Sequence, residues 1–101
     1  MTKADLVRKI TVETGIVRRD VAIVVDSLLE AIKDTMKKGN HIEIRLFGTF
    51  NLRIRKARIG RNPKTNDKVN VPKRVVPTFK FSKEFKTDIL KNVKPDQISE
   101  K

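Results

Sequence analysis

The chain has 101 residues and contains no cysteine, no tryptophan, no tyrosine and only one histidine. Without thiols there is no disulfide framework, no thiolate zinc site and no cysteine nucleophile. Four glycines are too few for most phosphate-cradling loops, and a lone His41 cannot form a histidine pair to hold a metal. No run approaches the ~18 apolar residues of a membrane helix. The N-terminus carries charge at Lys3, Asp5, Arg8 and Lys9. Neither a membrane span nor a signal peptide is expected, and the chain is read as cytoplasmic. Acidic residues are also scarce. There are 12 against 24 Lys and Arg, a formal net charge of +12. The acidic residues are mostly scattered on helical segments beside basic ones, where surface pairing explains them, so an enzyme reading has little to stand on and no cofactor is called for. Hydrophobic residues make up 38% of the chain. A core of that size in so short a chain favours association into an oligomer.

What is present is basic charge, and most of it is in one place. Residues 1–40 carry a net +2 and residues 82–101 a net +1. Residues 41–81 hold eleven basic side chains, including Arg45, Lys56, Lys68 and Lys80, against only Glu43 and Asp67, a net +9. A solvated surface explains mixed charge well and a run of one sign poorly, so the partner called for is a polyanion.

Hydrophobic spacing divides the chain. Thr2 caps a first helix with Asp5 in the capping-box position, Leu6, Val7 and Ile10 form a narrow stripe, and Gly15 ends it. A second helix spans about Arg19 to Lys38 and stops at Gly39-Asn40. Its stripe of Val21, Val24, Val25, Leu28, Leu29, Ile32 and Met36 is wider than one short helix can cover. That stripe reads as core plus dimer interface. Next the period becomes two, with Ile42, Ile44 and Leu46 in one strand and Phe50, Leu52 and Ile54 in another, and Gly48 making the turn between them. From about Arg55 to Arg74 the apolar side thins while cations continue. This segment reads as a two-stranded arm turning at Pro63–Asp67, marginal in water and mobile until held. Val69, Val71, Phe79 and Phe81 lead back to a last helix capped by Ser82 and running to about Lys91, with Phe85, Ile89 and Leu90 facing inward. A polar tail follows from Asn92.

All five aromatics (Phe47, Phe50, Phe79, Phe81 and Phe85) lie outside the arm. Single-strand binders place exposed rings within the charged groove so that bases can stack. A basic β-arm without rings, with proline at its tip, suits a duplex groove. Lys83 and Lys86 stand in the first turns of the last helix, where free amides attract an anion and neighbouring ammonium groups reinforce the attraction.

Three segments carry a family resemblance: Leu46-Phe47-Gly48-Thr49-Phe50, Gly60-Arg61-Asn62-Pro63-Lys64-Thr65 and Val76-Pro77-Thr78-Phe79-Lys80, the last followed by Lys83 and Lys86. In order and spacing they resemble the HU/integration host factor family of bacterial histone-like DNA-bending proteins, over about residues 2–91. The resemblance implies an α+β fold, an intertwined homodimer with a helical base, an antiparallel β-saddle and two protruding β-ribbon arms. It divides the chain into a DNA-binding domain at 1–91, with its arm at about 55–74, and a tail at 92–101. It further implies an architectural, nucleoid-associated protein that binds double-stranded DNA in the minor groove with little sequence specificity. Pro63 would wedge between base pairs and kink the duplex, with Arg61 and Asn62 flanking it. Arg53, Arg55, Arg58, Lys64, Lys73 and Arg74 would line the arm and saddle, and Lys3, Lys83 and Lys86 would meet phosphates. Proline suits the wedge because it is compact and has no N–H to leave unsatisfied. The alternatives are a site-preferring host-factor-like subunit, heterodimeric with a paralogue, and an RNA-binding or ribosome-associated basic protein. A protein that binds acidic partners is a more distant reading.

The chain departs from the family pattern at four places. Leu46 and Asn66 stand where glycine is usual, Phe81-Ser82 replaces a frequent Pro-Gly, and Val17 stands where a Ser or Thr often caps the second helix. None of these removes a cation of the proposed interface or the wedge.

Overall fold

The computed structural model describes residues 1–98. Two compact units divide the chain, Met1–Lys38 and Gly39–Lys101.

The first unit is a helical pair. Helix α1 (Lys3–Thr14) opens on a reciprocal capping box, in which the Thr2 hydroxyl accepts from the Asp5 N–H and the Asp5 carboxylate accepts from the Thr2 N–H. These bonds satisfy backbone donors that a helix start otherwise leaves open. The helix ends at Gly15 in the left-handed region, with its N–H on the Thr11 carbonyl. Helix α2 (Arg18–Lys37) begins and ends one residue earlier than its hydrophobic period predicts. Val17 caps it through the backbone alone, its carbonyl accepting from the N–H groups of Asp20 and Val21. Each helix buries a single valine, Val7 in α1 and Val21 in α2. Further along the α2 stripe, Val24 is 66% and Leu28 56% exposed, with Leu29 also open. Val25, Ile32 and Met36 are half-buried, so part of the stripe's width is left uncovered within one chain.

The second unit is a three-stranded antiparallel sheet, a ribbon and a helix. Strand β1 (Ile42–Ile44) pairs with β2 (Gly48–Arg55), which pairs with β5 (Arg74–Phe81). The ribbon consists of β3 (Arg58–Arg61) against β4 (Lys68–Val71). The chain breaks from sheet to ribbon at Lys56-Ala57 and returns at Pro72-Lys73. Arg55 and Arg74 close the larger sheet and do not begin the arm, because their pairing continues the β2–β5 register.

Gly48 does not make the first turn. The turn is Arg45-Leu46-Phe47, closed by the Phe47 N–H on the Ile44 carbonyl, and Leu46 carries the positive φ of 65°. Gly48 is instead the first residue of β2, buried against β5. A Cβ there would collide with the Phe79 ring and lie 2.6 Å from the Lys80 carbonyl oxygen. The glycine is needed for close approach, and the leucine bears the turn.

Residues opposite each other in an antiparallel pair share a face. Gly48/Phe81, Phe50/Phe79, Leu52/Pro77 and Ile54/Val75 therefore line one side of β2–β5. The five phenylalanines pack in sequence. The Phe50 and Phe79 centroids are 4.6 Å apart, Phe79 and Phe81 4.8 Å, Phe81 and Phe85 4.7 Å, and Phe47 touches both Phe79 and Phe85. This cluster seats helix α3 (Lys83–Asn92), whose Ser82 cap accepts from the Phe85 N–H. Of the three α3 residues expected inward, only Phe85 is so placed. Ile89 is half exposed, and Leu90 is 82% exposed. The tail is not wholly irregular, since Pro95–Gln97 forms one 3₁₀ turn. No helix among the described residues is long and apolar enough to cross a membrane.

Candidate nucleic-acid interface

The side of β2–β5 away from the rings carries Thr49/Lys80, Asn51/Thr78, Arg53/Val76 and Arg55/Arg74. One strand alternation thus builds two surfaces: apolar positions feed the ring cluster, and the positions between them carry Arg53, Arg55, Arg74 and Lys80. Arg55 and Arg74 are directly opposed. In the ribbon, Arg61 and Lys68 are directly opposed as well. Like charges across a strand pair are destabilising unless an anion lies between them. Arg55, Lys56, Arg58 and Arg74 also line one concavity of about 470 Å³ at the base of the ribbon.

None of these cations forms an ion pair with an acidic side chain among the described residues. Among the described residues, the ion pairs formed (Lys3–Asp26, Arg8–Asp5, Lys9–Glu13 and Lys33–Glu30) all lie in the helical unit.

The ribbon tip is a hydrogen-bonded loop at residues 62–67, one residue longer at its start than the expected turn. The Asn62 N–H donates to the Asp67 carbonyl at 2.9 Å, and the Asn66 N–H donates to the Asn62 carbonyl at 2.7 Å. The Asn62 side chain accepts from the Lys64 N–H at 2.9 Å, the local bond that makes asparagine a turn residue. Asn66 has a φ of 61°. Pro63 sits exposed between these fixed points. Its neighbour Asn62 is held by backbone bonds and Lys64 by the Asn62 side chain.

The remaining candidates fall in two places. Lys83 and Lys86 line a second concavity of about 670 Å³ with Arg45 and Lys80, where Glu43 and Glu84 partly offset the charge. The Ser82 cap already engages the N–H groups of Phe85 and Lys86. The two lysines would therefore meet an anion through their ammonium groups. Lys3 is in the helical unit and is bonded to Asp26 at 2.7 Å, so an anion reaching it competes with that carboxylate. Lys73 is exposed at the break between ribbon and sheet. Lys56, Lys68 and Lys80, outside the residues first singled out, share these surfaces. Reading the hairpin back from its turn finds Lys68, because the register sets it opposite Arg61. Among the described residues no cluster of His, Asp or Glu is arranged to hold a metal.

Residues 1–90 match the family described as bacterial DNA-binding protein. Integration host factor subunit beta of Burkholderia vietnamiensis is 45% identical over 87 residues, covering 85% of this chain and 81% of its own. The DNA-binding protein HU of Clostridium pasteurianum is 36% identical over 91 residues, covering 90% of this chain and all of its own. Among solved structures, the Anabaena HU–DNA cocrystal structure is similar with a TM-score of 0.83 at 35% identity, covering 88% of this chain and 97% of its own.

Proposed function

The chain belongs to the bacterial DNA-binding protein family of HU and integration host factor, and from that premise we propose that it binds double-stranded DNA as a homodimer, lays its basic ribbons in the minor groove and bends the duplex. The observation that carries this reading is two pairs of opposed cations, Arg55/Arg74 and Arg61/Lys68, none of which forms an ion pair among the described residues. A row of phosphates supplies the missing anions. Arg53, Arg58, Lys64 and Lys73 extend the same basic surface, and Lys3, Lys83 and Lys86 serve as outlying phosphate contacts. Pro63, exposed on a loop tied at both sides, acts as the wedge, with Asn62 beside it. Phosphate contacts position a protein without reading sequence, so the binding is largely non-specific. The role is architectural and not enzymatic, residues 1–91 act as the binding domain, and the protein resides on the nucleoid.

The open stripe of α2 supports the dimer. Covering one exposed valine or leucine contributes about 1.5–3 kcal/mol, and several stand in register on that helix. The similarity to an integration host factor subunit favours a second reading, a site-preferring subunit that works with a paralogue.

The test is salt-dependent binding to a random-sequence duplex, with a defined bent site and double-stranded RNA as competitors. If on the order of 6–10 phosphates are engaged, log affinity falls with log salt at a slope of about −5 to −9. A slope near zero overturns the reading. Strong preference for the defined site selects the second reading, and equal competition by RNA removes the duplex-DNA assignment.

A further inference from the structure

The tip loop holds one contact that phosphate binding leaves unexplained. Arg61 donates through Nη1 to the Asn66 side-chain oxygen at 3.2 Å. Across the ribbon from Arg61 stands Lys68, a like charge that repels the guanidinium without fixing where it settles. A carboxylate at this place would steady Arg61 but cancel its charge. An amide oxygen steadies it and leaves the charge intact. The backbone at position 66 is held too, by the Asn66 N–H on the Asn62 carbonyl and by the Asn62 N–H on the Asp67 carbonyl. A φ of 61° asks for glycine, and asparagine is the residue that tolerates it while adding an acceptor.

We propose that Asn66 is a positioning residue for DNA binding, holding the Arg61 guanidinium oriented and fully charged at the arm tip before the duplex arrives. This rests on the reading that the ribbon enters DNA. Arginine carries large rotamer freedom, and restricting it in the free protein removes part of the cost of binding.

A double-mutant cycle tests it. Wild type, Asn66→Gly, Arg61→Ala and the double variant are titrated into a labelled duplex at one salt concentration. Glycine keeps the positive φ and deletes the acceptor, and any loosening of the loop that it adds is carried equally in both Arg61 backgrounds. Loss of one such hydrogen bond is expected to weaken wild-type binding by about three- to tenfold, with the salt slope unchanged. In the Arg61→Ala background the same change is expected to cost nothing. Equal losses in both backgrounds would make Asn66 an independent DNA contact, and no loss would make it a turn residue; either overturns the proposal. Side-chain NMR of the free protein gives a second readout. Slow guanidinium rotation is expected for Arg61 in wild type and in Asn66→Asp, and fast rotation in Asn66→Gly. Fast rotation in wild type overturns the proposal whatever the titration gives. If wild type does not bind the duplex at all, the DNA reading fails, while the NMR comparison still decides whether Asn66 holds Arg61.

Discussion

Leu46 and Gly48 have exchanged the roles their types suggest. Leu46 holds a left-handed φ that costs a non-glycine residue about 1 kcal/mol, with a side chain 64% exposed. Leu46→Gly is therefore expected to hold or raise stability, gaining up to about 1 kcal/mol from the turn and returning part of it as unfolded-state entropy. Gly48→Ala is expected to lose about 1–3 kcal/mol, because the new methyl meets the Phe79 ring and the Lys80 backbone. Urea unfolding of both variants checks the pair, and the opposite ordering would contradict the turn as described. The turn could not be read from residue types. Glycine marks turns and close approaches alike, and only the register against β5 shows which applies. Pro63 and Lys64, by contrast, were legible as part of the turn because proline chemistry is local, while Asn62, whose side chain and backbone close the loop, was not read into it.

Elements with local signals were readable and elements defined by long-range contacts were less so. The capping box of α1, its glycine stop and the serine cap of α3 depend on residues three or four apart. The inward face of α3 depends on a ring cluster gathered from two strands and a turn, so helical spacing alone misplaced Ile89 and Leu90. The arm was legible as a loss of apolar alternation, but the assignment of Arg55 and Arg74 to the larger sheet needed the pairing itself. The α1 cap makes a pH prediction. Hydrogen bonds from the Thr2 backbone and then its hydroxyl hold the Asp5 carboxyl below its ordinary value. A folded value below the unfolded one means that stability is present above the unfolded pKa and is lost as pH falls through the folded one. Wild type is expected to melt higher than Asp5→Asn near pH 6–7 and to lose that advantage on acidification below the ordinary carboxylate range. A difference in melting temperature that stays constant with pH would contradict the charged cap.

At the scale of the whole molecule, one chain is an incomplete object. Among the described residues only Val7 and Val21 form its buried apolar core, while α2 leaves Val24, Leu28 and Leu29 of its stripe exposed and Val25, Ile32 and Met36 half-buried. Apolar faces of this extent are covered in stable proteins. The protein is expected to sediment as a dimer at micromolar concentration, with a melting temperature that rises with concentration because dissociation and unfolding are coupled. A folded monomer under those conditions would contradict the proposed assembly. The stripe's excess width was visible in the sequence, but which part of it one chain uses was not, since that depends on how α1 lies on α2.

The central claim is that uncompensated ribbon cations bind a duplex and that Pro63 bends it. Fluorescence energy transfer across an end-labelled duplex of about 30 base pairs, titrated with wild type and with Pro63→Ala, tests it most directly. Bending brings the ends together, and opening a base step costs a few kcal/mol that the wedge must hold against restacking. Wild type is expected to raise transfer strongly on binding. Pro63→Ala, which changes no charge, is expected to bind with the same salt dependence while raising transfer much less. Binding by wild type with no change in transfer, or equal transfer for the variant, would contradict the account.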